Sequence, residues 1–413
     1  MTRVSSESQI VDFVRAARAG RSPFEIVAGG TRRGVGRPMA SHEGKALPVL
    51  DVSGVAGIID YQPEELIVTA RPGTSLAELK ALLAAKNQCL GFDPVSWTFL
   101  TPPPFASTSA ATGTSPASAP MRAQGRRASD ASTLGGAVSA DASGPGRLRH
   151  GPPRDSLLGF RAVNGFGEAF RGGAKVVKNV TGFDLPKLVC GAFGTLMVLS
   201  EMTFRVYPRP NARATLILRD RAPDTGFAAL RTIWKSALEP SGLSYIPGSA
   251  KFPGLGDVGE GAALIRFEAA EMPLSEKLAA ARLLVGGAEE ISEGDRIFTA
   301  IGEGALFQNS DLEVWRVSVP PAEAARVAGA IGSPHWLGDW AGGLLWIGAR
   351  GEDAPRIRAL AMETGGHAML LRAPASRRAE LGLFAPQAPP LAALTASVRA
   401  AFDPLSLFNP GRL

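Results

Sequence analysis

The chain has little cysteine and little histidine for its 413 residues. Its two cysteines, Cys89 and Cys190, are too few for a four-thiolate iron–sulfur cluster or for a framework of disulfides. Its four histidines show neither H-x-x-x-H nor H-E-x-x-H spacing, so the local sequence predicts no metal site. An iron–sulfur carrier that works with this protein would therefore have to belong to another chain.

Long apolar segments are also missing. The longest near-apolar run, residues 188–199, spans twelve residues and includes two glycines, whereas a membrane-spanning helix needs about 20 apolar residues. The first residues lack the continuous apolar core of a signal peptide. We therefore expect a cytoplasmic protein without a membrane span, which reaches the inner face of the cytoplasmic membrane only through a complex.

Basic and acidic side chains are unevenly distributed. Residues 1–210 carry 24 lysines and arginines against 16 aspartates and glutamates, whereas residues 211–413 carry 20 against 22. A basic half suits an anionic cofactor, an acidic partner or nucleic acid. Few aromatic side chains accompany these charges for stacking on bases, so we expect no nucleic-acid binding. A phosphate-bearing ligand and simple solvation are the two interpretations that we keep.

Glycine and proline are abundant, with 48 and 32 residues, which predicts many tight turns and backbone-lined sites. The 45% of hydrophobic and 20% of charged residues are typical of globular proteins, and the length fits two domains. Up to residue 210, short apolar strands alternate with glycine loops. After it, strands alternate with amphipathic helices at about 277–285 and 321–331, which predicts a separate α+β domain.

Residues 97–130 interrupt the first half of the chain. Three prolines are followed by serine, threonine, alanine and glycine, and then by Arg122, Arg126 and Arg127. This composition offers too little bulky apolar surface to offset the entropy lost on ordering. We expect a flexible surface insertion. Our preferred interpretation is that its arginines are solvated, and the alternative is that they contact an acidic partner.

A glycine-rich loop follows the strand expected at residues 24–28. Gly29, Gly30 and Gly34 could bring backbone N–H groups close to a diphosphate. The loop is not a P-loop, because Val35 replaces the required lysine, and it is not a Rossmann fingerprint, because position 39 is methionine. Taken alone it is more typical of an ordinary hairpin. Two further glycine segments, at 135–136 and 191–195, favour an extended dinucleotide instead.

Together these segments resemble a known flavoprotein family. In order and spacing they are similar to the vanillyl-alcohol-oxidase/PCMH superfamily, and most of all to the smaller FAD-binding subunits of bacterial glycolate oxidases. The segments that carry the resemblance are 28–31 (AGGT), 50–53 (LDVS), 91–94 (GFDP), 133–138 (TLGGAV), 143–145 (SGP), 154–155 (RD), 177–184 (VKNVTGFD), 191–196 (GAFGTL), 366–368 (GHA) and 402–412 (FDPLSLFNPGR).

The resemblance implies an α+β fold in three parts. Residues 1–210 would form a bipartite PCMH-type FAD-binding domain, residues 211–395 an α+β cap domain with an antiparallel sheet, and residues 396–413 a tail that returns to the flavin. The cofactor-binding residues that it implies are Gly29, Gly30, Thr31, Gly34, Thr133, Leu134, Gly135, Gly136, Ser143, Gly144, Gly194 and Val198.

Three positions or segments depart from the family pattern. Met197 replaces the second glycine of the usual G-T-L-G-V, the 97–130 insertion has no counterpart, and His150 replaces an aromatic hydroxyl near the flavin. Family members that attach FAD covalently use histidine or cysteine, in the first loop or a later one. Thr31 follows Gly29 and Gly30 here, so the resemblance implies non-covalent FAD.

The function implied is that of an FAD-binding subunit of a glycolate (2-hydroxy-acid) oxidase complex. Its partners would be a sister FAD-linked catalytic subunit, an iron–sulfur subunit and the small hydroxy acid. The sequence identifies no catalytic base, so we favour an electron-transfer or assembly role with the hydroxy-acid site in the sister flavoprotein. The alternatives are a self-sufficient FAD oxidoreductase acting on another substrate and a flavin-free scaffold.

Overall fold

A computed structural model describes residues 1–39, 46–100, 132–174 and 183–413. Most of the expected insertion, from residue 101 onward, and residues 177–182 of the motif at 177–184 lie outside these ranges. Within them the protein combines helices with three β-sheets, which confirms the predicted α+β class.

Residues 2–208 form the two smaller sheets. A three-stranded parallel sheet has the order β1-β3-β2, and an antiparallel sheet has the order β4-β5-β9-β7-β8, with β6 paired to β9. The strands and helices of this part are β1 (Thr2–Arg3), α1 (Glu7–Ala19), β2 (Glu25–Val27), β3 (Val49–Asp51), β4 (Ile58–Gln62), β5 (Ile67–Ala70), α2 (Leu76–Ala84), β6 (Gln88–Leu90), α3 (Leu134–Ser139), α4 (Arg147–His150), α5 (Pro153–Ser156), β7 (Leu157–Val163), β8 (Ala169–Gly173), α6 (Leu185–Val189) and β9 (Val198–Pro208).

Local sequence explains several of these elements. Helix α1 begins after Ser6, whose hydroxyl accepts from the amide of Gln9, and it buries Ile10 and Val14. Helix α2 begins after Ser75, whose hydroxyl accepts from the amide of Ala77. The tight turn after Asn164 joins β7 to β8 as an antiparallel hairpin, as an Asn-Gly sequence favours.

Residues 212–372 form an eight-stranded antiparallel sheet with the order β13-β10-β12-β11-β15-β16-β14-β17. Its elements and those that follow are β10 (Ala212–Leu218), α7 (Pro223–Trp234), β11 (Gly242–Pro247), β12 (Gly261–Ala269), α8 (Glu271–Val285), β13 (Glu289–Ile291), α9 (Gly294–Gly302), β14 (Glu313–Ser318), α10 (Ala324–Ile331), β15 (His335–Asp339), β16 (Leu344–Ala349), α11 (Ala354–Glu363), β17 (His367–Arg372), α12 (Ala375–Leu381) and α13 (Pro389–Phe402).

The two faces of the large sheet have different neighbours. One face, which includes Trp315 and Leu345, packs on α7, α8, α10 and α11. The other face, which includes Trp346 and Leu371, shares a core with residues of the first part of the chain. Side chains alternate between faces along each strand, so the same strands complete both cores.

The start of the expected flexible insertion is buried, which corrects our prediction for residues 97–100. Trp97 and Phe99 lie in the core against the large sheet, and both rings contact Trp346, with centroids 6.2 and 5.7 Å away. Leu100 is 4% exposed. The prediction was wrong here because composition over a long window concealed aromatic residues that bury a large apolar area.

The end of the chain lies against its beginning. Phe408 forms a parallel bridge with Phe24, and the amide of Phe24 donates to the carbonyl of Leu407 at 2.8 Å. The amide of Arg37 donates to the carbonyl of Arg412 at 3.0 Å. Residues 407–412 are thereby held beside β2 and the glycine loop that follows it.

A buried carboxylate links the large sheet to the first part of the chain. Glu268 on β12 contacts His150 on α4 at 3.0 Å and Arg213 on β10 at 2.7 Å. Burial would raise the pKa of Glu268, but the hydrogen bond to His150 and the charges of Arg266 and Arg213 together hold this pKa at about 2.

This lowered pKa predicts a pH-dependent contribution to stability. The contribution is complete above about pH 4.5, where the unfolded carboxyl is ionised, and is lost as the pH falls towards 2, with a size of about 3 kcal/mol. The difference in unfolding free energy between the wild type and Glu268→Gln should shrink over that interval in denaturant titrations. Glu290→Gln, at an exposed pair with Arg282, should show no such change. Parallel pH profiles for the wild type and Glu268→Gln would contradict the assignment.

Candidate functional site

A cleft that is partly open to solvent lies where the three glycine segments meet. It is bordered by the loop after β2, the start of α3, the 192–199 segment and the C-terminal residues. Eight of the twelve predicted site residues line it: Gly29, Gly30, Thr31, Thr133, Gly135, Gly136, Gly194 and Val198.

The first loop turns sharply where β2 ends. Gly30 has φ of +73°, a left-handed conformation that side chains disfavour. A Cβ atom there would have only ordinary contacts, with Val27 and Arg33 at 3.9 and 3.8 Å. The backbone conformation and the open space beside it, rather than crowding by the protein, are what call for glycine here.

The second glycine pair lies on a helix and not beside a strand. Thr133 caps α3 by accepting from the amide of Gly136 at 3.3 Å. A Cβ atom on Gly135 would lie 2.7 Å from Cβ of Pro72, so this glycine is needed for packing inside the protein. Gly136 has slightly more room, since its nearest neighbours would be Thr133 and Arg32 at 3.3 and 3.4 Å.

Two buried arginines border the cleft, and neither was predicted. Arg32 donates to the carbonyl of Val95 at 2.6 Å and to the hydroxyl of Ser132 at 3.1 Å, while Arg412 donates to the carbonyl of Arg32 at 2.7 Å. Their Nε atoms have no partner among the described residues. Burial lowers the pKa of each guanidinium to about 10, so both remain charged at neutral pH.

A third arginine of the lining is already neutralised. Arg33 forms a two-point ion pair with Glu25, and the hydrogen bond raises the pKa of Arg33. Glu303 and Glu25 oppose the charges of Arg32 and Arg412, respectively, and partly offset the effect of burial on the two pKa values. An anion in the cleft would neutralise these charges further, because buried charges are stabilised by groups of opposite charge.

Asn409 ties the tail to two walls of the cleft. Its side-chain oxygen accepts from the amide of Ile26 at 2.8 Å, and its amide nitrogen donates to the carbonyls of Phe193 and Gly194 at 2.9 and 3.2 Å. Asn409 is 2% exposed. The tail therefore holds the first and third glycine segments in a fixed relation.

The other four predicted residues do not line the cleft. Leu134 is fully buried in the core beneath it, and a Cβ atom on Gly34 would face the carbonyl of Leu100 at 3.7 Å. The Ser143 hydroxyl accepts from Arg147, and the carbonyl of Gly144 accepts from the indole of Trp340 at 3.2 Å. Ser143 therefore contacts α4, and Gly144 contacts the turn that follows β15.

His150 and His367 both lie away from the cleft. His150 lies in a separate crevice with Glu268, and His367 begins β17 at an exposed position. Partial desolvation of its imidazole, and then the charge of Arg316, lower the pKa of His367. Met197, the departure from the glycine pattern, does line the cleft.

Three residues of the cleft were not predicted from the sequence: Arg32, Asn409 and Arg412. The sequence offers a different amount of information on each. Arg32 directly follows Gly29, Gly30 and Thr31, so its place in the sequence could have identified it as a residue of the site. Asn409 and Arg412 belong to the C-terminal motif that carries the resemblance, yet nothing in that motif alone reveals that they contact Ile26 in β2 and Arg32 in the loop after it, more than 370 residues away.

Metal-binding clusters and membrane-spanning helices are both absent from the described ranges. No group of three histidine, cysteine, aspartate or glutamate side chains there could hold a metal ion. Every helix in those ranges is too short or too polar to cross a bilayer.

Comparisons with known proteins agree with this geometry. A family model described as an FAD binding domain matches residues 1–101. Glycolate oxidase subunit GlcE of Escherichia coli is 31% identical over 419 aligned positions, which cover 100% of this chain and 99% of that protein. Glycolate oxidase subunit GlcD of Bacillus subtilis is 30% identical over 115 positions, or 28% of this chain and 24% of that protein.

Solved structures share the fold at low sequence identity. An alkyldihydroxyacetonephosphate synthase superposes with a TM-score of 0.67 at 14% identity, covering 99% of this chain and 75% of that one. A p-cresol methylhydroxylase with substrate bound superposes with a TM-score of 0.65 at 14% identity. The superposition covers 100% of this chain and 88% of that one. With its full-length similarity to GlcE and this shared fold, the chain belongs to the GlcE family of glycolate oxidase subunits, within the PCMH-type FAD-binding proteins.

Proposed function

We propose that this protein binds FAD non-covalently in the glycine-lined cleft and serves as the FAD-binding subunit of a glycolate (2-hydroxy-acid) oxidase complex. The observation that carries the proposal is that eight predicted residues meet in one cleft with Arg32 and Arg412, both charged and each with an Nε atom that has no partner among the described residues. Full-length similarity to a glycolate oxidase subunit supports the substrate class.

The charge of the lining suits a dinucleotide diphosphate. Three arginines and no aspartate or glutamate belong to the described lining. Backbone amides of Gly29, Gly30 and Thr31 would hold the diphosphate together with Arg32 and Arg412, because charged donors and close backbone approach both favour phosphate oxygens. Gly194 and Val198 would border the adenosine half.

The lining also favours non-covalent attachment. None of the described lining residues is histidine, cysteine or tyrosine, the side chains that could form a bond to a flavin ring. Burial raises the pKa of the nearby Cys190 thiol, which keeps it protonated and unreactive. Acid denaturation should therefore release the flavin from the polypeptide.

When bound, FAD supplies a two-electron acceptor for hydride from an α-hydroxy acid. This chain's residues would bind and orient it: the glycine loops fix the diphosphate, Asn409 holds the walls together, and apolar residues such as Leu196 and Met197 exclude water from the cleft. Ser143 and Gly144 lie beyond the cleft and would shape its far end.

We further propose the division at residue 210, with a cap at 211–395 and a returning tail at 396–413. The partners would be a sister FAD-linked subunit and an iron–sulfur subunit, since two cysteines cannot hold a cluster. The location would be the cytoplasm or the inner face of its membrane, reached through the complex.

Expression alone and with those partners tests the assignment. Glycolate-dependent dye reduction should appear only when the sister flavoprotein and the iron–sulfur subunit are present. Deletion of 101–128 should leave the FAD content unchanged, because none of the proposed FAD-binding residues falls in that stretch. Full glycolate turnover by the isolated chain would overturn the subunit role and favour a self-sufficient oxidoreductase.

A further inference from the structure

The helix α13 is left largely uncovered by the rest of the described chain. None of its residues is buried, and Leu391 and Leu394 are 51% and 61% exposed. Four of its residues are half-buried and share one side of the helix: Thr395, Val398, Arg399 and Phe402. The helix therefore contacts the body of the protein along that side only, and its other sides face solvent.

The solvent-facing sides of α13 have the composition of a buried helix. Its single charged residue, Arg399, lies on the half-buried side, and the exposed positions hold leucine, alanine, proline and one serine. A surface helix normally carries charged or polar residues towards solvent, whereas a helix that is apolar on all sides is normally covered. A helix of this length without tertiary packing is also only marginally stable in water. We therefore expect another molecule to cover α13.

Three arginines gather around Gly382, shortly before α13 begins. A Cβ atom on Gly382 would lie 3.2 Å from the guanidinium of Arg37. The carbonyl of Gly382 accepts from the side chain of Arg358 at 3.0 Å, and its amide donates to the carbonyl of Arg378 at 3.0 Å. Among the described residues, the side chains of Arg358 and Arg378 donate only to backbone carbonyls, and no carboxylate forms an ion pair with any of the three arginines.

The charges of these arginines reinforce one another. Burial lowers the pKa of Arg378, and burial followed by the charge of Arg37 lowers the pKa of Arg358. No described acidic group opposes either effect. A partner that brings negative charge to this place would therefore be favoured.

Exposed apolar side chains lie beside the arginines. Phe384 is 40% exposed, and its carbonyl accepts from Arg358 at 3.1 Å. Met362 is 63% exposed and follows Arg358 by about one turn of α11. The start of α13 lies within about 18 Å of Phe384, because the intervening residues can span no more than that. We call the following residues together the α13 surface: Arg37, Arg358, Arg378, Met362, Phe384 and the exposed residues of α13.

The α13 surface suits an acidic protein better than a second copy of this chain or a membrane. Two copies related by a two-fold axis would use the same patch twice and bring the same arginines together, and each chain carries a net charge of +6. A helix that lies on a membrane carries lysine and arginine along its polar face, whereas the solvent-facing sides of α13 carry no charge. A groove in another protein covers a helix on more than one side and needs no such charges.

The chemistry of the complex indicates which subunit supplies the matching charge. Thiolate ligands give iron–sulfur clusters a net negative charge, and complementary charges guide association. Helix α13 leads directly through Asp403 into the tail, where Asn409 and Arg412 border the cleft. A subunit held at α13 is thus held near the segment that borders the cleft, as a carrier that takes electrons from a flavin there requires.

We propose that the α13 surface is the docking site of the iron–sulfur subunit of the oxidase complex. Helix α13 lies in an apolar groove of that subunit, and Arg37, Arg358 and Arg378 contact carboxylates at the rim of the groove. The inference rests on the proposed function, because the iron–sulfur subunit is a partner that it names. It adds the surface of this chain that the subunit contacts and the chemistry of the facing surface.

Binding of the purified, FAD-loaded chain to immobilised, cluster-loaded iron–sulfur subunit, measured by interferometry, tests the proposal. The dissociation constant should rise with salt, because exposed charges are screened. Leu391→Asp combined with Leu394→Asp should weaken binding at least about 100-fold, since two leucines would no longer be buried in the groove. The FAD content should not change.

The matched control for this double variant is Leu283→Asp combined with Leu284→Asp. These two leucines are 87% and 49% exposed on α8, a helix whose other side packs on the large sheet. The control therefore introduces the same charges on another exposed helix and should leave binding unchanged.

Arg37→Glu tests the arginines separately from the helix. Arg37 is exposed, so the variant should fold and keep its FAD. Its affinity for the iron–sulfur subunit should fall about tenfold and depend less on salt, as expected for a reversed charge at the rim of an interface. Lys251→Glu, at another exposed position, should leave the affinity unchanged.

Several outcomes would overturn the inference. They are no binding of the iron–sulfur subunit by the wild type, equal affinity in the wild type and the α13 double variant, and equal loss in the α8 control. The same holds if the double variant instead disrupts binding of the sister subunit, a dimer of this chain or binding to phosphatidylserine vesicles.

The proposed function is judged separately, by FAD content and by glycolate-dependent dye reduction. A chain without flavin that binds the iron–sulfur subunit through Leu391 and Leu394 would contradict FAD binding and retain the docking surface. A chain that holds FAD but binds the iron–sulfur subunit with unchanged affinity in the double variant would retain the proposed function and remove α13 from the interface.

Discussion

Replacing Gly30 with leucine should yield a folded protein that contains no FAD. The substituted residue would keep a left-handed φ of 73°, which costs about 1–2 kcal/mol and leaves most domains folded. Its side chain would occupy the space where backbone amides are proposed to meet the diphosphate, because ordinary contacts are all that surround the Cβ position. The visible absorbance of the purified variant measures its FAD content, and its far-ultraviolet circular dichroism shows whether it is folded.

The matched control for Gly30→Leu is Gly365→Leu. Gly365 has φ of 75° and no atom within 4 Å of its Cβ position, and it lies between α11 and β17, away from the cleft. The control therefore carries the same backbone cost and should keep its flavin. Gly135→Leu is a poorer test, since its side chain would collide with Pro72 whether or not FAD binds. Full FAD occupancy in Gly30→Leu would show that the ligand has been placed wrongly.

Replacing Arg412 with methionine should weaken FAD binding by about 10- to 100-fold. The substitution keeps much of the apolar stem but removes a guanidinium whose Nε has no partner among the described residues. A charge-assisted hydrogen bond is worth about 1.5–3 kcal/mol, which sets the size of the effect. Titration of apoprotein with FAD, followed by quenching of flavin fluorescence, gives the dissociation constant.

Two further variants separate the effect of the Arg412 charge on FAD affinity from the effect of the position of the C-terminal tail. Arg412→Lys keeps the charge and should recover part of the affinity, since charge rather than packing is responsible. Asn409→Ala removes three hydrogen bonds made by a buried side chain and should lower the unfolding free energy by about 2–4 kcal/mol, in addition to weakening FAD binding. Equal FAD affinity in the wild type and Arg412→Met would remove Arg412 from the site.

Much of the fold follows from local patterns that need no long-range information. The Ser75 cap, the Asn164 turn and the alternating strands after residue 210 each specify an element by its own sequence. The same holds for the first glycine loop, where a strand leads into a turn that requires positive φ at Gly30. With the glycine segments at 135–136 and 191–195, this loop located three of the four segments that border the cleft.

The remainder depends on contacts between distant segments. The Arg412 side chain meets the carbonyl of Arg32, 380 residues away, and Asn409 bridges Ile26 and Gly194. The composition of residues 97–130 predicted a loop that begins at residue 97. In the structure, however, Trp97 packs against Trp346 of the large sheet. The sequence predicted that the second glycine pair contacts a ligand. In the structure, the first glycine of this pair, Gly135, is needed because a side chain there would collide with Pro72. Such effects appear only once the chain is folded.

The flavin content of the purified full-length chain tests the central claim most directly. Acid treatment followed by chromatography of the supernatant measures released FAD against protein. We predict FAD in near-stoichiometric amount, all of it freed from the polypeptide. A colourless chain that takes up no added FAD would contradict FAD binding in the cleft, and flavin that stays attached to the denatured protein would contradict non-covalent attachment.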